Sequence, residues 1–135
     1  MMENTLIDKL IDNARRAALN AYSVYSKFPV GAAFANKSGV IFTGCNVENI
    51  SFGLTNCAER TAVFKSISEG NREIETLVVY TPTQKPTPPC GACRQVIAEF
   101  NKNARIICVC DSNQRIDTTL DKLFPVPDFT VNLRK

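Results

Sequence analysis

Short apolar runs and helix-length segments take turns along this chain from residue 30 to its end, an order that points to a layered α/β domain. Before them, residues 5–22 carry Leu6, Leu10, Ile11, Ala14, Ala17 and Ala18 at helical spacing, which predicts an amphipathic helix broken by Tyr25-Ser-Lys-Phe-Pro29. Residues 30–35 and 40–46 flank Asn36-Lys-Ser-Gly39, a turn signal, and together predict a β-hairpin. A polar loop over 49–56 leads to a second helix over 57–70, stopped by Gly70. Leu77-Val-Val-Tyr80 is β-branched and reads as a buried strand; the four prolines within 81–89 exclude regular structure there. A third helix follows over 90–101, then a strand over 106–110 and a short helix over 119–124. The expectation is a three-layer α/β/α sandwich around a mixed sheet of about five strands, antiparallel at the hairpin and parallel beyond it. At 135 residues, one domain spanning 1–135 accounts for the chain.

Composition narrows the chemistry. Histidine is absent, which removes the usual general base and the commonest metal ligand, so a zinc site here must be built from cysteine, with or without a carboxylate. No apolar run has signal-peptide character or approaches the ~18 residues of a membrane span, so a cytoplasmic protein without membrane association is expected. In that compartment six cysteines point to thiolates used for metal or catalysis rather than to disulfides. The net charge of +3 is scattered, with no basic stripe for a nucleic-acid partner.

Cys90-Gly-Ala-Cys93 follows a proline at a predicted helix start, and alone it fits a redox pair or half of a zinc site. The redox reading expects a strand running straight into the motif, whereas here a proline-rich loop intervenes. Cys57, in Cys57-Ala-Glu59, stands at another predicted helix start. Helix N-termini stabilise thiolate, and two such helices side by side would offer three sulfurs to one Zn²⁺, leaving its fourth position open. Glu59, two residues beyond Cys57 on the same helical turn, would be a non-ligating carboxylate close enough to the open position to move a proton. Taken singly, a cysteine at a helix start is more often a small buried residue, and a glutamate there a favourable first-turn charge. Cys45, Cys108 and Cys110 fall in predicted strands and read as core residues.

Five segments together resemble the small, tetrameric class of cytidine deaminase. They are Tyr25-Ser-Lys-Phe-Pro-Val-Gly-Ala-Ala33, Gly44-Cys-Asn-Val-Glu-Asn49, Cys57-Ala-Glu-Arg-Thr-Ala62, Ser68-Glu-Gly70 and Pro89-Cys-Gly-Ala-Cys-Arg-Gln-Val96, covering most of residues 20–100 in the family's order. The Cys57-Ala-Glu59 and Pro89-Cys90-x-x-Cys93 pair also matches the zinc base-deaminase signature in its all-cysteine form. The resemblance implies hydrolytic deamination of cytidine and deoxycytidine at C4, with one Zn²⁺ per chain on Cys57, Cys90 and Cys93 and Glu59 as the proton carrier. It also implies that Asn46 and Glu48 hold the ribose 3′-hydroxyl, that Phe28 packs on the pyrimidine, and that the Ala58 N–H meets the base near its C2 carbonyl. A homotetramer with shared active sites is implied, with Phe129 reaching a neighbour's pocket. Three thiolates and Zn²⁺ sum to −1, and Arg60 and Arg94 are placed to hydrogen-bond the sulfurs and offset that charge.

Two positions depart from the family pattern. Pro88 stands where serine is usual, and it keeps the backbone carbonyl expected to face leaving ammonia. Phe52 stands where tyrosine is common and lacks its hydroxyl. The rival readings are a deaminase of a nucleoside-like antibiotic, a polynucleotide cytosine deaminase and a non-catalytic zinc module.

Overall fold

The structure, a computed structural model, describes residues 2–127. Phe129, assigned above to a neighbour's pocket, lies outside the described residues. The elements run α1 (Met2–Ala18), β1 (Gly31–Ala35), β2 (Ile41–Cys45), α2 (Ala58–Ser68), β3 (Thr76–Tyr80), α3 (Gly91–Phe100), β4 (Arg105–Val109), β5 (Arg115–Thr119) and α4 (Leu120–Leu123). The five strands form one sheet in the order β2-β1-β3-β4-β5.

The expected three-layer arrangement is present. On one face Ile7, Leu10 and Ala14 of α1 bury against Ala33, Ala35, Val78 and Ile107. On the other, Ala62 and Val63 of α2 and Ile97 and Ala98 of α3 bury against Phe34, Leu77, Val79 and Ile106. Alternate residues of β1 and β3 thus serve opposite layers, as the two-residue period of a strand requires.

The sheet differs from expectation at its far margin. β3 pairs with β4 in parallel, but β4 pairs with β5 antiparallel, so both margins of the sheet are antiparallel. Strand β5, Arg-Ile-Asp-Thr-Thr, has no fully buried residue; only Ile116 carries an apolar side chain, which is why no apolar run marked it. It is joined to β4 by a two-toothed ion pair, Arg105 to Asp117, with donor–acceptor distances of 2.9 and 2.7 Å. Helix α1 also stops earlier than predicted, at Ala18 rather than residue 22. The backbone of Tyr22 is claimed by the β2–α2 connection, through Tyr22 N–H to Asn46 O and Glu48 N–H to Tyr22 O.

Two glycines set how closely the layers approach. A Cβ on Gly31 would lie 1.8 Å from the Ala14 carbonyl oxygen of α1, and one on Gly44 would lie 2.4 Å from the Ala62 nitrogen and 2.5 Å from the Ala58 oxygen of α2. Helix α2 rests directly on the backbone of β2, and that contact fixes the height of its first turn above the sheet. Gly44→Ala should therefore push α2 outward and cost about 1–3 kcal/mol, in the range of overpacked cores. Thermal unfolding checks this, and a melting temperature equal to that of the unsubstituted protein would contradict the tight contact.

Candidate active site

Helices α2 and α3 both begin at the end of the sheet where the parallel strands β3 and β4 finish. Cys57 is the N-cap of α2 and Cys90 the N-cap of α3, both in extended backbone conformation with ψ of 157° and 169°. Neither side chain caps its own helix, so both sulfurs are free for other partners. Cys93 lies on the first turn of α3 and is buried. The Cys57 and Cys90 sulfurs are 3.8 Å apart and those of Cys90 and Cys93 3.4 Å apart. All three lie within 4.8 Å of one another, the one such cluster of candidate ligands among the described residues.

That spacing suits zinc. Tetrahedral Zn–S bonds of ~2.3 Å place neighbouring sulfurs ~3.8 Å apart. The donor set also suits it chemically. Hydrogen bonding with Cys93, reinforced by the Arg60 guanidinium, holds the Cys57 thiol down to about 5 despite its burial. The Cys93 thiol moves the other way, pushed up by its hydrogen bond to Cys57 and by burial, so a cation must displace its proton. Arg60 donates from Nη2 to the Cys57 sulfur at 3.2 Å, as the sequence analysis expects.

Glu59 is 5% exposed and lines a cleft of about 440 Å³ together with Phe28, Asn46, Glu48, Ala58 and Pro88. It is not a member of the sulfur cluster. Burial pushes its carboxyl up to about 7, and the neighbouring Cys57 thiolate adds to the rise while Arg60 opposes it. A carboxyl titrating near neutrality both takes and returns a proton at little cost.

The same cleft gathers Phe28, Asn46, Glu48 and Ala58, as expected. Asn46 is buried, its Oδ1 accepting from the Val30 N–H at 2.9 Å and its Nδ2 donating to the Phe28 carbonyl at 2.8 Å. Its amide thus clamps the segment that carries the Phe28 ring. Glu48 accepts at Oε1 from the Tyr25 and Ser26 N–H groups, each at 3.0 Å, and at Oε2 from the Ser26 hydroxyl. These bonds, the Ser26 hydroxyl first, hold its carboxyl below the usual range.

Arg94 is a correction. Its guanidinium does not turn to the sulfurs: Nε donates to the Pro89 carbonyl and Nη1 to the Leu123 carbonyl, both at 2.8 Å. Being one residue past Cys93 on α3, it faces round the helix towards α4 instead of into the cluster. Cys108 and Cys110 are buried, Cys45 is partly so, and none of the three joins the cluster. Sequence reasoning missed Ser26, Thr55, Thr81 and Thr87, which also line the cleft. Only Thr81 carried a signal, by following a buried strand at the end of a parallel sheet where α/β folds place ligands.

Three sulfurs at paired helix starts, a non-ligating buried carboxyl and an adjoining cleft of small-molecule size define a hydrolytic zinc site. The family model described as the cytidine and deoxycytidylate deaminase zinc-binding region matches residues 4–110, and the chain belongs to that family. It is similar to the cytidine deaminase of Sporosarcina psychrophila, 48% identical over 120 residues covering 88% of each chain. To the cytidine deaminase of Halalkalibacterium halodurans it is 56% identical over 91 residues, 67% of this chain and 69% of that one. The crystal structure of cytidine deaminase from Burkholderia pseudomallei superposes with a TM-score of 0.84 at 42% identity, over 87% of this chain and 95% of the other.

One zinc per chain is expected in the purified protein, measured by elemental analysis. Cys57→Ala, Cys90→Ala and Cys93→Ala should each abolish it, whereas Cys45→Ala, Cys108→Ala and Cys110→Ala should retain it. Full metal content in any of the first three variants would break the ligand assignment.

Proposed function

We propose that the protein deaminates cytidine and deoxycytidine hydrolytically, yielding uridine or deoxyuridine and ammonia. The observation that carries this reading is Glu59: a carboxyl raised to about 7, buried in the wall of the cleft that Cys57 and Cys90 also line, and not a member of the three-sulfur cluster. A non-catalytic zinc module has no use for that carboxyl or for the cleft above it.

Cys57, Cys90 and Cys93 hold the zinc, which when bound supplies the acidity that makes water a nucleophile at neutral pH. Glu59 accepts a proton from the attacking water and delivers it to N3 of the base, making C4 electrophilic. After attack at C4, Glu59 carries the hydroxyl proton to the exocyclic amine, which departs as ammonia. Arg60 draws charge from the Cys57 sulfur, easing the net −1 of three thiolates and a divalent cation. A reducing, cytoplasmic setting keeps that ligand set as thiols.

The base sits against Phe28, with the N–H of Ala58, the first residue of α2 and so without an intrahelical acceptor, directed to its C2 carbonyl. Asn46 and Glu48 take the sugar. Both are already fixed by backbone bonds, which supports a preformed sugar site needing little ordering on binding. The working form is a homotetramer in which the region of Phe129 closes a neighbour's cleft. Supporting this, Ile50, Phe52 and Leu54 are 79%, 75% and 71% exposed, and Phe52 lines a second cavity that shares Ser26, Glu48 and Thr55 with the cleft. The chain leaves the described part at Pro127, tied to α3 by Gln95.

Two measurements test the proposal. Glu59→Gln should keep its zinc yet lose ~10²–10⁴-fold in kcat for cytidine, read as ammonia release; activity within about tenfold would mean another group moves the proton. Across a panel of substrates, cytidine and deoxycytidine should be turned over and free cytosine poorly, since Asn46 and Glu48 would find no sugar. Equal kcat/KM for cytosine would remove that role from the pair.

A further inference from the structure

Thr81 is the first residue after β3, 3% exposed, and part of the wall of the cleft that holds Glu59 and Pro88. Its backbone N–H is engaged by the Val109 carbonyl at 3.2 Å, so its hydroxyl is the group left to act. That hydroxyl stands 2.8 Å from the Thr83 hydroxyl, and Thr83 donates its own proton to the Lys85 carbonyl at 2.6 Å. A hydroxyl has one proton to give. With the Thr83 proton committed to Lys85, the 2.8 Å contact uses the proton of Thr81. The Thr81 oxygen therefore retains only its acceptor capacity, sharpened by polarisation along the chain to Thr83 and Lys85. The Thr87 hydroxyl, on a second residue of the cleft wall, is the other acceptor within reach of the Thr81 proton, but at 3.5 Å it is far beyond the usual O–H···O distance, so the 2.8 Å contact to Thr83 takes that proton.

We propose that Thr81 is a specificity-determining residue that accepts a hydrogen bond from the exocyclic amine of the substrate and opposes the carbonyl that replaces this amine in the product. The inference rests on the reading of the site as a cytidine deaminase. An amine carries N–H donors, and the product's O4 carries none. An oxygen that can only accept attracts the first and repels the second. Thr81 in this way tilts the cleft towards substrate and hastens departure of the deaminated base. The Pro88 carbonyl, on the same wall, is of the same acceptor character. The relay to Thr83 is what fixes the sign of the effect: a Thr81 free to rotate would donate to O4 and hold the product.

The experiment compares the KM and kcat for cytidine with the inhibition constant of uridine in Thr81→Val, Thr81→Ser and Thr83→Val. Turnover of cytidine by the unsubstituted enzyme is measured first, and its absence would sink the deaminase reading itself, apart from this inference. Thr81→Val should raise the cytidine KM about three- to tenfold, the worth of one neutral hydrogen bond, while uridine binds more tightly. Thr81→Ser should restore both values. Thr83→Val, which releases the Thr81 proton, should tighten uridine with the cytidine KM held within about twofold. A merely structural role for Thr81 would weaken both ligands together, and that result overturns the proposal. An unchanged uridine constant in Thr83→Val overturns it as well. Thr83 is not among the residues lining the cleft, so this variant decides the question even where Thr81→Val fails to fold.

Discussion

The meeting of two helix starts at one end of a parallel strand pair governs this molecule. Three sulfurs held within 4.8 Å of one another repel as thiolates, and no arrangement of side chains alone would keep them there. The backbone does it. β3 and β4 run parallel, α3 crosses between them, and α2 is seated on β2 where Gly44 offers no Cβ, so the first turns of α2 and α3 arrive together. Their unpaired N–H groups and aligned dipoles present positive potential to the sulfurs, and Arg60 adds a full charge from within α2. The cation completes the balance.

The same convergence places Glu59 in an environment of opposed influences. Desolvation and the nearby thiolate favour its neutral form, while Arg60 favours the ionised one. The outcome is a carboxyl close to the protonation midpoint at neutral pH, in a chain that has no imidazole to do this work. Burial here substitutes for residue type: a glutamate on the surface would titrate more than two units lower.

Much of this was legible in the residues because the signals were strong and local. The Cys-x-x-Cys after a proline, the Cys-x-Glu at a helix start and the proline cluster at 81–89 each name a backbone event as well as a chemistry. What escaped depended on contacts distant in sequence. β5 has hardly any apolar pattern because it sits at the sheet margin, held by Arg105 and Asp117. The end of α1 was overrun because Tyr22 is captured by Asn46 and Glu48, some two dozen residues on, which no helical periodicity records. Arg94 was assigned to the sulfurs on proximity along the chain, yet a helix turns 100° per residue and carries it past them. Thr81 took its character from Thr83 and Lys85, a hydrogen-bond order visible only in three dimensions.

Arg94 has a wider meaning in its observed place. One guanidinium joins the Pro89 carbonyl, immediately before the Cys90 ligand, to the Leu123 carbonyl at the end of α4. The loop before Cys90 and α4, the last helix among the described residues, are thereby spliced through a single planar group. Unravelling α4 would take away one of its two acceptors and leave a half-buried fork half filled next to the segment that leads into Cys90. The loop that leads into Cys90 and helix α4 thus share one mechanical tie, and a disturbance at either end of it is felt at the other.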